Sequence, residues 1–468
     1  MQNIKKTIFF AISSPLVYRN LFFFPGSVFD KLKKMISERQ DIKLVFLVQK
    51  KDLEKYYSFL KNDLGENFSI EAVRVSAPQN FLEKLFYFFY SYFIYTGTTR
   101  TLATLGVRPD EPPAGGKRWL APVKIFIART CGKSYFFREK IIPYLYPKVF
   151  IQRLFEELFE KYKPSLVFLP HIYGSYDTQL LSEAKGRGIK TLGMASNWDH
   201  FDKYYLPLRP DFLLAQSKQV KDFAVKYQSY NPQKITVIGY PHFDFIVDKS
   251  YAASREKILE ELKFPRSAKF ILYVSGSAYC SDEPDTIEKI LEWADKNEFG
   301  NDIYLVVRPY LGGRGADKDF DEAKFNRFEE HPRVRFYKKE FWGDLPKSIQ
   351  FFNIMRHADA VISMYSTIII EAAALNKPLV GIGFDGYKKR PFRKSVRRFM
   401  LREHFQDVLN SGAVRTAYSF LELKEILKNY LENPSLDQKE RYELMQRLAH
   451  GADGKAGERV VEHILRYL

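Results

Sequence analysis

Apolar residues in the first part of the chain come in short unbroken runs, Lys6 to Ile12, Lys43 to Gln49 and Phe68 to Val75. Each is followed by a stretch whose apolar positions recur every three or four residues: Ser27 to Ser37, Asp52 to Leu64 and Asn80 to Ile94. An unbroken run marks a strand buried on both faces, and the longer period marks a helix with one buried face. The alternation predicts βαβ units and a parallel sheet covered by helices on both sides. Residues 97 to 121 break the pattern: Gly106, Pro109, Pro112-Pro113 and Gly115-Gly116 predict a loop or mobile insert. The pattern resumes with a helix from Val149 to Lys161 and strands over Ser165 to Pro170, Lys190 to Ala195, Asp211 to Gln216 and Lys234 to Ile238.

A second series starts at Lys269. It predicts strands Phe270 to Val274, Ile303 to Val307, Val334 to Tyr337, Ala360 to Ser363 and Pro378 to Ile382, with helices Pro284 to Asn297, Ile349 to Arg356 and Ser366 to Leu375. A chain of 468 residues exceeds the ~100 to 200 that one core organises. The reading is therefore α/β, with two Rossmann-like doubly wound domains over residues 1–247 and 248–468 and a ligand cleft facing the carboxyl ends of the strands. The last helix, Gly457 to Leu468, is expected to pack back across the hinge.

Charge adds a constraint on partners. Lys and Arg number 73 against 56 Asp and Glu, a net charge of +17. That favours anionic partners: nucleotides, nucleic acid or an anionic membrane. No RNA-recognition, KH or zinc-finger pattern occurs and the basic residues are scattered apart from one cluster, so nucleic acid is not expected. Two cysteines, Cys131 and Cys280, exclude a disulfide framework and a cysteine zinc site. Without HExxH spacing or an acidic calcium triplet, a metal-independent reaction is expected, with no cofactor beyond the donor substrate. Lys5-Lys6 and the run to Ile12 mimic a signal peptide, but the run stops at Ser13-Ser14-Pro15 without a cleavage site and reads as a buried strand. The aromatic segment Phe81 to Tyr95 carries Glu83 and Lys84 and is shorter than the ~20 apolar residues of a spanning helix, so it reads as interfacial or buried.

Residues 358 to 382, ADAVISMYSTIIIEAAALNKPLVGI, carry the densest chemistry. A strand ends at Ser363, a turn holds Tyr365, Ser366 and Thr367, and a helix follows, so hydroxyls and free N–H groups are expected to converge where a phosphate would bind. Glu371 lies one turn beyond Thr367 and can accept the hydroxyl protons of a ribose. The plainer alternative makes Ser366 an N-cap and Glu371 a solvated position.

This arrangement resembles the donor-nucleotide site of GT-B-fold transferases. It looks most like the group of CDP-glycerol glycerophosphotransferases and surface-polysaccharide glycosyltransferases, and more distantly like UDP-N-acetylglucosamine 2-epimerases. Four further segments are similar to that group in the same order: SNWDHFDKYYLPLRPDFLLAQS at 196–217, IGYPHFD at 238–244, VVRPY at 306–310 and ADGKAGERVVEHI at 452–464. His200 stands where the family usually has Asn, Tyr310 where it has His, and Met364 where the glycerophosphotransferases often have Asp. The resemblance implies a GT-B fold and transfer of a sugar from a nucleotide diphosphate sugar to a surface glycan or lipid-linked acceptor. Transfer of glycerol phosphate from CDP-glycerol is the sister reading, and an epimerase-like isomerase is third.

The turn Ser275, Gly276, Ser277 after the first strand of the second domain is a candidate rest for a diphosphate against backbone N–H groups, and Arg308 offers a guanidinium fork. In the first domain the strand-end candidates for the acceptor-activating base are His171, Asp177, Asp199 and His200. Arg19 and Asn20 either contact the acceptor or cap a helix, and Pro241, Phe243 and Asp244 read as a stiff structural hinge. The basic cluster Lys388, Lys389, Arg390, Arg393, Lys394, Arg397 and Arg398, interleaved with Tyr387, Phe392 and Phe399, is expected to contact an anionic membrane, with Phe81 to Tyr95 as a second contact. The localisation expected is cytoplasmic, peripheral on the inner face of the membrane.

Overall fold

The computed structural model describes residues 6–468 except 40, 58–59, 61–64, 76–77, 105–119, 301, 313–315 and 339–343. The chain divides into two compact units: Met1–Thr96 with Pro122–Phe245 and Leu448–Leu468, and Gly97–Ala121 with Ile246–Arg447.

The first unit holds seven strands: β1 Lys6–Ile12, β2 Ile42–Gln49, β3 Phe68–Val73, β4 Leu166–Leu169, β5 Lys190–Met194, β6 Phe212–Ala215 and β7 Ile235–Val237. All pair in parallel in the order β3-β2-β1-β4-β5-β6-β7. The order reverses between β1 and β4, so the crevice at a doubly wound sheet's switch point lies beyond Ile12 and Leu169. Phe9, Phe10, Val167 and Phe168 are buried, which is why these strands read as continuous apolar runs. The helix Ala456–Tyr467 completes this core: Val460 and Ile464 pack among Ile8, Ile36 and Leu192. Both Asp244 carboxylate oxygens accept from its first turn, the Ala456 N–H at 2.9 Å and the Gly457 N–H at 2.8 Å. Two segments of the family pattern, IGYPHFD and ADGKAGER, therefore meet as a helix and its cap.

The second unit holds β8 Lys269–Val274, β9 Ile303–Arg308, β10 Val334–Phe336, β11 Ala360–Ser363, β12 Leu379–Ile382 and β13 Val414–Ala417, parallel in the order β10-β9-β8-β11-β12-β13. Its switch point lies between β8 and β11, at Val274 and Ser363.

Two expectations are corrected. The helix expected over Val149 to Lys161 is two helices, Ile142–Val149 and Glu156–Tyr162. Phe150 turns into an aromatic core, while Phe155 is buried against Tyr176, 5.1 Å between rings. The insert expected over residues 97 to 121 opens with a helix, Gly97–Thr104, and residues 105–119 lie outside the described residues. This helix belongs to the second unit. Thr98 accepts the Glu403 N–H at 3.0 Å, and Gly97 lies so close to Leu401 that a Cβ would come within 1.7 Å of its carbonyl oxygen.

Candidate functional site

In the first unit the strand ends at the switch point bring Ser13, His171 and Asp177 together. The helix Ser175–Gly186 starts just after β4, so Asp177 falls in its first turn, and parallel pairing of β1 with β4 sets Ser13 beside it. His171 Nδ1 lies 2.7 Å from Asp177 Oδ2, and the Ser13 hydroxyl donates to Oδ1 at 2.6 Å. The Gly174 N–H also donates to Oδ2, at 3.3 Å. Asp177 is buried while His171 keeps an exposed edge. A carboxylate held on Nδ1–H fixes the tautomer that leaves the Nε2 lone pair to accept a proton.

His200 sits beside this pair, 6.1 Å between the two imidazoles, with Tyr173 edge-on at 4.5 Å. Burial pulls its pKa down to about 3, so it is neutral at physiological pH. Asp199 is held by Lys203 at 3.4 Å. Asn20 is buried and donates to the Ser196 carbonyl at 3.0 Å, while Arg19 Nε donates to Asn20 Oδ1 at 3.0 Å. Arg19 and Asn20 lie within the helix Pro15–Leu21, capped by Ser14, and the helix that follows, Val28–Ser37, is capped by Ser27, so they cap neither. His242 follows β7, and burial together with the Arg19 charge pulls its pKa well below the usual value. Among the described residues, Tyr173 Oη, Ser196 Oγ, His200 Nδ1, Tyr240 Oη and His242 Nδ1 are buried polar atoms with no protein hydrogen bond. They follow the carboxyl ends of β4, β5 and β7, where a ligand's hydroxyls would satisfy them.

In the second unit Arg308 ends β9 and is held with its guanidinium 4.9 Å over the Phe351 ring. Burial pulls its pKa down, and the neighbouring Glu371 carboxylate pushes it back up. Glu371 is only 5% exposed, which removes the alternative that it is a solvated position. Arg308 and Glu371 thus share one environment at the ends of β9 and β11.

The hydroxyls of the Tyr365 turn do not converge as expected. Tyr365 is buried at φ 46°, a strained value for a residue with a Cβ, and its phenol reaches Thr416 on β13. Ser366 Oγ lies 3.1 Å from Ser363 Oγ, and Thr367 makes no capping bond to the helix Ile368–Ala374.

The Ser275-Gly276-Ser277 turn also departs from expectation. The Gly276 N–H donates to Glu283 Oε1 at 2.9 Å, so it is not open to a diphosphate. Its carbonyl accepts from Lys324 Nζ at 2.8 Å, and Lys324 pairs with Glu283 Oε2 at 2.8 Å. A Cβ at Gly276 would come within 2.7 Å of Cys280 Sγ and 3.1 Å of Met364 Cβ, so glycine is required by close packing. Ser275 Oγ accepts the Tyr310 N–H at 3.1 Å, tying the turn to the end of β9. Sequence reasoning missed Ser13, Glu283 and Lys324. Ser13 was discoverable from its place directly after β1, whereas nothing in the sequence pairs Glu283 with a lysine 41 positions on.

Residues 323–466 match the family model of CDP-Glycerol:Poly(glycerophosphate) glycerophosphotransferase, a stretch that contains β11 and Glu371. No curated relative matches the sequence. Among solved structures, a glycosyltransferase from Rickettsia africae is 11% identical, covers 99% of each chain and superposes with a TM-score of 0.52. UDP-GlcNAc 2-epimerase from Neisseria meningitidis, solved with UDP-GlcNAc, is 13% identical over 98% of this chain and 100% of its own, with a TM-score of 0.51. The epimerase of Methanocaldococcus jannaschii is 11% identical over 99% and 100%, with a TM-score of 0.52.

The fold is GT-B. Residues 323–466 are similar to the glycerophosphotransferase family, and the chain shares its fold with a glycosyltransferase and with UDP-GlcNAc 2-epimerases. Among the described residues no group of three or more His, Cys, Asp or Glu is arranged to hold a metal, and no helix is long and apolar enough to cross a membrane.

Proposed function

We propose that this chain transfers a sugar from a nucleotide diphosphate sugar to a hydroxyl of a surface glycan or lipid-linked acceptor. The reading is carried by the Ser13–Asp177–His171 chain at the switch point of the first unit, where Asp177 accepts from Ser13 and Gly174 and holds His171 Nδ1. An imidazole oriented by a buried carboxylate can take the acceptor's hydroxyl proton at Nε2 as the new bond forms. Tyr173, Ser196, His200, Tyr240 and His242 would bind the acceptor's other hydroxyls, and Asp199 orients its turn. In the second unit Arg308 would offset charge on the departing diphosphate, Ser277 and Thr367 would donate to its oxygens, and Glu371 would accept from the nucleoside ribose.

A second reading, transfer of glycerol phosphate from CDP-glycerol, is favoured by the family match over 323–466. Against it stand Tyr310 and Met364, where that family more often has His and Asp. Thermal shift with a panel of nucleotide sugars and CDP-glycerol separates the two, since a ligand bound by the native state raises the melting temperature. A shift with a nucleotide sugar that is lost in both Arg308→Ala and Glu371→Ala supports the first reading. A shift confined to CDP-glycerol moves the assignment to the second, and no shift with any donor refutes both.

A further inference from the structure

The connection from β12 to β13 carries the basic residues expected to contact a membrane, and they do not form one surface. Lys388, Lys389, Arg393 and Lys394 are exposed, whereas Arg390 is buried against Asp282 and Arg398 is only 4% exposed. A guanidinium grips a two-oxygen anion with two N–H groups on one edge, such as Nε and Nη2. Arg390 holds Asp282 with that edge at 2.5 and 2.8 Å, and Arg415 holds Asp437 with it at 2.6 and 2.9 Å. In Arg398 the same two nitrogens are buried and have no protein hydrogen bond, while Nη1 donates to the Arg393 carbonyl.

This edge is fixed by its surroundings. The Arg398 carbonyl accepts the buried Thr101 hydroxyl at 3.3 Å, and the Val396 N–H donates to Asp385 Oδ1 at 2.7 Å. The Arg398 guanidinium lies 5.2 Å from the Phe399 ring centre, and a second guanidinium, Arg402, lies 4.7 Å from the same ring. Burial pulls the Arg398 pKa down, and the titratable groups acting on it are Cys280, Arg402, Asp385 and Tyr279. Asp385 is the one carboxylate among them, and it makes no ion pair with Arg398. A buried cation left without an anion is costly, so an anion that reaches it is held strongly. Cys280 places the edge in the fold. A Cβ on Gly276 would lie 2.7 Å from Cys280 Sγ and 3.1 Å from Met364 Cβ, so Cys280 sits against the residues that follow β8 and β11, at the switch point of the sheet. Arg308 ends β9 and is acted on by Glu371, Tyr337 and Tyr310, none of which acts on Arg398. The second unit therefore has two separate cationic positions at its strand ends, and a diphosphate at Arg308 occupies only one.

We propose that Arg398, with Arg402 beside it, receives a carboxylate carried by the transferred sugar, so that the donor is a nucleotide diphosphate uronic acid; this rests on the reading of the chain as a sugar transferase. The planar pair of oxygens matches the Nε–Nη2 edge, as the Asp282 and Asp437 carboxylates do. A carboxylate also brings a single charge into a buried place, at less desolvation cost than the nearly double charge of a phosphate monoester. CDP-glycerol has no anion beyond its diphosphate and leaves the edge unused.

The test is titration calorimetry of the full chain with matched donors, UDP-glucuronate against UDP-glucose and GDP-mannuronate against GDP-mannose, with CDP-glycerol alongside. The acidic member of at least one pair should bind about tenfold or more tighter than its neutral partner. Arg398→Gln should bring that acidic donor down to the affinity of its neutral partner. Arg398→Lys, which keeps the charge and loses the two-pronged edge, should lose most of the preference. The melting temperature of unliganded Arg398→Gln should hold or rise, because a buried charge without a partner has been removed. Neutral donors that bind as tightly as acidic ones overturn the inference and leave the sugar-transfer reading standing. Binding of CDP-glycerol alone, or of no donor, overturns both. The inference also falls if Arg398→Gln weakens neutral and acidic donors equally, since the edge would then hold the diphosphate, or if neither Arg398 variant alters the preference, since water would then satisfy it.

Discussion

Replacing Lys324 by Met tests what holds the turn after β8. Lys324 and Glu283 side chains are 2% and 0% exposed, and Nζ is surrounded by Glu283 Oε2 and the Gly276 carbonyl at 2.8 Å and Asp321 at 3.5 Å. Burial pushes the Glu283 carboxyl up to about 7 in spite of the ammonium beside it, while Lys324, which burial alone would pull down, is carried up by that carboxylate. For the carboxyl burial outweighs pairing, while the ammonium, with three oxygens around Nζ, stays charged. Lys324→Met therefore leaves a buried carboxylate beside Asp321 without its cation, a loss of about 3 to 5 kcal/mol. In scanning calorimetry that is a fall on the order of 10 °C for a unit of this size. The sign with pH follows from the raised carboxyl: its contribution to stability is intact at low pH, where it is protonated in both states, and is lost as pH rises through about 7. The deficit of Lys324→Met should accordingly grow from pH 5 to pH 9, roughly across the shifted carboxyl's titration. Glu283→Gln in the same chain should recover most of it, because a neutral amide can still accept the Gly276 N–H. A single variant that loses less than about 1 kcal/mol at alkaline pH, or a double variant no more stable than the single, refutes the ion-pair account.

Other outcomes follow from the same structure. Asp177→Asn should lower turnover by ~10²-fold or more with donor affinity unchanged, measured by steady-state kinetics alongside calorimetry, and near-normal turnover would remove His171–Asp177 as the base. Glu371→Ala should weaken nucleotide binding by about 1 to 3 kcal/mol, and equal calorimetric affinities would take Glu371 out of the site. Gly97→Ala should destabilise the second unit by about 1 to 3 kcal/mol in denaturant titration, since its Cβ would meet the Leu401 carbonyl oxygen. His200 and His242 are held neutral by burial, so stability should fall as pH drops below about 6.5 toward 3, and the double variant to Gln should flatten that acid limb.

Much of the sheet architecture was legible because its strands are buried on both faces and leave continuous apolar runs. β13 was not. Its sequence alternates, with Arg415 paired to Asp437 at 2.6 Å and Thr416 bonded to Tyr365, as befits an edge strand. The helix Gly97–Thr104 was hidden because it is fastened by threonine hydroxyls rather than by an apolar stripe. At the candidate sites the residue types could be read, but not their partners. His171 and Asp177 stand on one strand-to-helix turn and were both visible, whereas Ser13 and Lys324 join their sites through topology that brings distant segments together. Tyr365 misled because a hydroxyl at a strand end reads as outward, while its ring packs over Gly381, where a Cβ would lie 2.8 Å from the phenol oxygen.

The first unit's hydrophobic interior includes Val460 and Ile464, which lie on a helix some two hundred residues beyond β7. During synthesis at about 5 to 20 residues per second, the finished seven-stranded sheet waits on the order of ten seconds or more for the element that covers it. Until then Ile8, Ile36 and Leu192 lack their cover, and Asp244 lacks the N–H groups it will cap. The half that leaves the ribosome first is thus the half that matures last. Chains cut short before the helix Ala456–Tyr467 should be recognised by chaperones and proteases through the earliest-made part of the protein, not through the cut.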